Sequence, residues 1–198
     1  MFLVSLLGYS YSSIRRSYFT RVRKYGDTTF SIEHKLRSIN DLGMLFTRLR
    51  DKYPNLIHID QDEKYLEWRI YNNPNIKYDT YFLYEENSLR SYCYVGMRDN
   101  ERATLTDLTF ETAAAGAFLL KHVLKDLHQR KVGYVYFMGN TENSIMMNTF
   151  NLLRNYGFLR RRMLDYFSIK NESYEDEGYL SDIKNWYVNG LWTEGYTL

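Results

Sequence analysis

Cysteine occurs once in the 198 residues, at Cys93, so no intramolecular disulfide can form and a reducing compartment is favoured. Proline occurs twice, at Pro54 and Pro74, and each is expected to end an element. No segment approaches the roughly 18–20 consecutive apolar residues of a membrane-crossing helix. Charge of one sign is not in excess. Against 26 Lys and Arg stand 24 Asp and Glu, and a formal net charge of +2 is too small for whole-molecule attraction to nucleic acid or a membrane surface. The apolar residues 1–7 lack a basic lead-in and a small-residue cleavage site, and Arg15 and Arg16 follow. The expectation is a cytoplasmic protein with no membrane insertion and no nucleic-acid partner. His34, His58, His122 and His128 show no metal-ligand spacing, so no metal is assigned.

Aromatic residues, by contrast, are dense, with 20 tyrosines. Tyrosine suits strand positions, and a few could instead stack on a sugar or a base. With 25% charged and 44% hydrophobic residues the chain is globular, one domain or one domain with an appendage. Cys93 alternates with Leu89, Ser91 and Val95 and reads as a small core residue of a strand, not a nucleophile.

Leu42, Leu45, Phe46 and Leu49 recur at helical spacing and predict a helix over residues 41–52. A second helix is expected from Asp60, with Leu66 and Ile70 on one face, ending at Asn72-Asn73-Pro74. Residues 79–85, 89–97 and 102–110 read as three strands joined by tight polar turns, an antiparallel meander. Residues 112–130 then form a long helix, with Leu119, Leu120, Val123, Leu124 and Leu127 on its buried side. Residues 132–138 form a strand parallel to 102–110, because a helical crossover joins them. A helix over 142–156, a left-handed cap at Gly157, a strand over 159–169 and a polar tail with anchors at Trp186, Tyr187 and Trp192 complete the chain. The basic stretch around Arg21, Arg23 and Lys24 reads as a solvated strand edge, or as a phosphate contact.

This order of elements, with Asn155-Tyr156-Gly157-Phe158 closing the last helix, resembles the GNAT N-acetyltransferase fold over residues 40–170. Trp68-Arg69 before Asn73-Pro74, and the late Asn185-Trp186-Tyr187, are similar to the second halves of bacterial tandem GNAT proteins. The resemblance implies a mixed α/β (α+β) fold: a mostly antiparallel sheet with a βαβ crossover and helices on both faces. It divides the chain into an extension over 1–38, a GNAT-like domain over 39–170 and a tail over 171–198. Gly8-Tyr9 with Tyr18-Phe19-Thr20 parallels Gly157-Phe158 with Tyr166-Phe167-Ser168. Residues 1–25 are therefore either the end of a first GNAT unit or a coincidence in a Tyr- and Arg-rich stretch.

The resemblance further implies acetyl-CoA as cosubstrate and a small amine, such as an amino sugar, as acceptor. The pyrophosphate would lie on the helix start at Thr112, Ala115, Gly116 and Ala117, where the first amides lack helical partners. The carbonyls of Leu108 and Thr109 would face the cofactor, and Asn143 would either contact it or cap the next helix. Asp107 would serve as base, unless it is a solvated strand-edge acid, and Tyr156 is the tyrosine nearest the family's acid position. Three residues depart from the family pattern. Ala113 stands where Arg or Gln is usual, Glu111 would repel a pyrophosphate, and Leu153 stands where the family's acidic Tyr is frequent. The alternative is a GNAT-fold module without catalysis that binds a ligand or a partner unit; a second copy, forming a homodimer, or another GNAT unit is the expected partner. Arg160-Arg161-Arg162 alternates across a strand and so cannot form one basic face.

Overall fold

A computed structural model of the protein describes residues 2–4, 6–12, 30–97, 101–162, 165–167 and 177–192. The basic stretch at 15–24 lies outside them. In chain order the elements begin with β1 (Phe2–Val4), β2 (Leu6–Ser12), β3 (Phe30–Glu33) and α1 (Asn40–Lys52). Helix α2 (Glu63–Leu66) follows, prolonged by a π-helical turn over Glu67–Tyr71. Next come β4 (Lys77–Glu85), β5 (Ser88–Met97), β6 (Arg102–Phe110), α3 (Ala113–Gln129), β7 (Tyr134–Asn140) and α4 (Ser144–Asn155). The chain continues through β8 (Leu159–Arg162), β9 (Asp165–Phe167), α5 (Glu177–Ser181) and two short 3-10 turns, Ile183–Asn185 and Gly190–Trp192.

β4, β5 and β6 form the expected antiparallel meander, and β7 joins β6 in parallel through α3. The main sheet runs β3-β4-β5-β6-β7-β2-β8. Alternate strand residues face opposite layers, and hydroxyl contacts identify each layer. Tyr84 donates to Asp41 of α1 (2.8 Å) and Tyr94 to Gln61 just before α2 (3.1 Å). On the other face Tyr81 donates to Asp126 of α3 (2.7 Å). Tyr81, Tyr84, Tyr92 and Tyr94 are all fully buried, so much of the tyrosine excess is core filling, with each hydroxyl paired as burial requires. Cys93 is buried among them, and burial pushes its thiol well above the ordinary range.

Helix α2 starts later than Asp60. Asp62 is extended, and its carboxylate caps the Tyr65 amide (2.7 Å), so the helix can begin only at Glu63. Residues 1–38, set apart in the sequence, put two strands into the main sheet. β2 lies antiparallel between β7 and β8, and β3 forms the edge beside β4. The strand expected over 159–169 is seen as β8 and β9. β8 pairs with β2, and β9 pairs with β1 in a separate two-stranded sheet. The register is the same in both pairings, Phe2 opposite Phe167 and Leu7 opposite Arg162.

Helix α4 ends in a Schellman motif: Phe158 N–H donates to the Leu153 carbonyl (3.1 Å) and Gly157 N–H to Arg154 (3.0 Å), with Gly157 at φ 87°. A Cβ is unfavourable in this left-handed geometry. Gly157→Ala should therefore lower stability by about 1 kcal/mol in urea unfolding. No loss would mean that the cap relaxes.

Candidate functional site

β6 and β7 pair only from Arg102–Tyr134 to Leu105–Phe137. At that point β6 bulges: Tyr94 of β5 opposes Asp107 while Val95 opposes Leu105, leaving Thr106 as the extra residue. Beyond the bulge β6 and β7 are no longer paired, and a gap opens toward their C-terminal ends.

The chain's own residues 186–192 enter this gap. Asn189 bridges to Gly139 of β7, and the Asn140 amide donates to the Val188 carbonyl (2.9 Å). Gly190 lies so close to β6 that a Cβ there would come within 2.9 Å of the Thr106 carbonyl oxygen. The Tyr187 hydroxyl reaches Thr109 Oγ1 (2.7 Å), Asp107 Oδ1 (3.0 Å) and, more distantly, the Leu108 carbonyl (3.4 Å). Around the segment, Ile57 exchanges backbone bonds with Asn185 and Tyr187, and Arg69 donates to the Gly190 carbonyl (3.3 Å). Asn140 Nδ2 donates to the carbonyls of Ile183 and Trp186, and Asn143 Nδ2 to that of Lys184. Within the expected polar tail, residues 183–192 thus form a packed strap.

Asp107 is fully buried, not a solvated strand-edge acid. Its carboxylate accepts from Tyr92 (2.7 Å), Thr109 (2.9 Å), Tyr187 (3.0 Å) and Gln61 (3.3 Å), and none of these is a cation. Burial pushes its pKa up, and the four hydrogen bonds only partly offset that. Burial likewise raises the hydroxyls of Tyr92 and Tyr187 well above the ordinary range.

Helix α3 begins immediately after β6. Thr112 caps it, its Oγ1 accepting from the Ala115 amide (3.2 Å) and its carbonyl from Gly116 (3.0 Å). The Ala113 and Ala114 amides have no partner among the described residues. Ala113 adjoins a cavity of about 310 Å³ walled also by Lys52 and Tyr53 of the α1 end and by Asn148, Asn151 and Leu152 of α4. Glu111 does not leave a bare charge there. Its Oε2 takes Arg48 and Arg90, each at 2.9 Å. Burial raises the Glu111 pKa, but the two guanidinium groups outweigh burial and hold it below the ordinary range.

The candidate residues therefore fall into separate places. The Leu108 carbonyl is turned to the gap, where Thr149 Oγ1 and Tyr187 each approach to 3.4 Å. The Thr109 carbonyl instead accepts from Ser91 (2.8 Å). Gly116 is buried against the Phe110 ring. The Ala117 carbonyl accepts from Tyr156 (2.9 Å), so that hydroxyl fastens the α4 end to α3 and does not touch Asp107. Asn143 caps α4 through the Ile145 and Met146 amides and also holds the strap. In the sequence Tyr187 reads as an anchor and as part of a late motif, and Gln61 carries no signal of its own. The surviving signal was the Asn185-Trp186-Tyr187 motif, which carries no indication of where the tail lies.

No protein-family model and no curated protein matches the chain. Solved structures do. A tandem GNAT protein from the clavulanic acid biosynthesis pathway superposes with a TM-score of 0.55 at 10% identity, over 83% of this chain and 52% of that one. A functionally unknown conserved protein from Staphylococcus epidermidis gives 0.51 at 10% identity, over 81% and 59%. The chain spans just over half the length of these structures. At such identity the likeness is one of fold. The protein has a GNAT-like mixed α/β fold, with a mostly antiparallel sheet and helices on both faces. Among the described residues no helix is long and apolar enough to cross a membrane.

Proposed function

We propose that the chain is an N-acyltransferase unit that takes acetyl-CoA as cosubstrate and a small amine, such as an amino sugar, as acceptor. The parting of β6 and β7 at the Thr106 bulge, directly ahead of the α3 start, carries this proposal. The free amide of Ala113, with Lys52 across the cavity, suits a pyrophosphate, and the helix dipole favours an anion there. Thr112, Ala115, Gly116 and Ala117 shape that helix start. The Leu108 carbonyl would receive an amide of the cofactor's arm in the gap. Acyl transfer forms the C–N bond of the new amide and breaks the thioester C–S bond. The amine proton would pass to the Asp107 carboxylate, directly or through water, and the thiolate would leave with a proton from solvent. Pairing with a further GNAT unit or a second copy belongs to the same proposal. So does assigning residues 1–25 to the end of such a unit.

A second proposal, a module that binds without catalysis, is favoured by Leu153 and Ala113, which supply neither the acid nor the cation usual in the fold. Calorimetry separates the two. Acetyl-CoA should bind, and Ala113→Glu, which puts a carboxylate at the cavity without disturbing an exposed helix start, should weaken binding by about tenfold. Unchanged affinity in Ala113→Glu would move the ligand elsewhere. Absence of heat at millimolar acetyl-CoA, in the wild type and in Tyr187→Phe alike, would favour the non-catalytic module.

A further inference from the structure

The strap lies between β6 and β7 beyond Leu105, where the two strands no longer pair. Gly190 packs so closely on β6 that a Cβ there would come within 2.9 Å of the Thr106 carbonyl oxygen, so the strap stands where a ligand's arm between the two strands would lie. We propose that residues 187–191 are an intramolecular occupant of the acyl-arm groove, latched by Tyr187 on Asp107 and Thr109, and that the groove works only when the latch opens. This rests on the acyltransferase proposal for the same site.

Four observations support a removable occupant over a permanent part of the core. The latch is polar: Tyr187 is held at its hydroxyl by Asp107 and Thr109, and water can replace both bonds. Closing the latch keeps the Asp107 carboxylate dehydrated with no cation beside it, so opening relieves a buried charge. The unpaired edge of β6 is poorly met, since the Leu108 carbonyl has only two 3.4 Å contacts where a strand or an amide ligand would give a normal bond. Finally, Trp186 and Val188 pack with Ile57, Leu180, Ile183 and Trp192 in a small cluster separate from the main core. Trp186 and Trp192 hold the two ends of the strap in that cluster and can stay in place while the Tyr187 side chain, which with Leu191 packs in the main core, swings out.

The alternative is a seal that opens only on global unfolding. Amide hydrogen exchange on the unliganded protein decides between them. The Tyr187 amide, bonded to the Ile57 carbonyl, is the reporter, with the β4–β5 amides as reference. Tyr187 should exchange at least about tenfold faster than the reference, and Tyr187→Phe should speed the strap's exchange a further tenfold or so with the reference unchanged. Strap and reference exchanging together in both proteins would overturn the latch.

Desulfo-CoA titration supplies the second arm. Tyr187→Phe and Gly190→Ala each favour the open state, so each should bind desulfo-CoA about tenfold more tightly than wild type. Equal or weaker binding by both variants would overturn the groove-occupant proposal. Fast strap exchange with no desulfo-CoA binding in any of the three proteins would leave a movable strap but reject the acyltransferase proposal, and with it the strap's role as a cofactor gate.

Discussion

Asp107→Leu should lower stability by about 3 kcal/mol, whereas Asp107→Asn should stay within about 1 kcal/mol of wild type, both read from urea midpoints. Leucine accepts no hydrogen bond, so the Tyr92 hydroxyl and one hydroxyl of the Tyr187–Thr109 pair lose their acceptor, while that pair keeps its mutual bond and Gln61 keeps the Tyr92 oxygen. Each unpaired donor costs about 1–3 kcal/mol, partly offset by removing a dehydrated carboxylate. Asparagine keeps one oxygen, and the hydroxyls can turn to accept from its amide. The comparison also has a pH signature. The folded Asp107 pKa is raised by burial, so protonation favours folding. That contribution is complete below the ordinary carboxylate pKa of about 4 and is lost as pH rises through the folded value. The stability of wild type relative to Asp107→Asn should therefore fall as pH rises above about 4. A flat difference would mean that Asp107 is hydrated and that the network around it is wrongly drawn.

Gly116→Glu should be the other severe change, costing about 3–5 kcal/mol or abolishing folding. On residue types alone this substitution reads as a clean block of a ligand on the helix start. In the structure a Cβ at Gly116 would come within 2.6 Å of the Phe110 ring, and a glutamate would add a buried, unpaired charge. Circular dichroism with urea unfolding measures this directly; a wild-type midpoint would mean that Phe110 swings aside. Ala113, exposed at the first helical position, is the proper site for a binding test.

Much of the architecture could be read from local pattern. The apolar spacing in α1, α3 and α4, the tight turns of the β4–β5–β6 meander and the glycine cap at Gly157 are local, and local physics determines them. The position of β2 between β7 and β8 is not local. Nothing in Leu6–Ser12 specifies a partner more than 120 residues away in the chain, a separation visible in the Leu6–Asn140 pair. The strap escaped for the same reason. Tyr187 looks like any aromatic anchor until the fold brings it to Asp107, 80 residues earlier. Glu111 was a matter of charge alone in the sequence. Its neutralisation by Arg48 and Arg90 depends on α1 and β5 meeting the end of β6.

Hydrogen exchange at the Tyr187 amide with and without saturating desulfo-CoA tests the central claim most directly. A groove that opens for an acyl-CoA predicts faster exchange at Tyr187 in the complex than in the free protein, with the β4–β5 amides unchanged or slower. Slower or unchanged exchange at Tyr187 in a complex known to be saturated would contradict it, because the ligand would then be binding with the strap still closed.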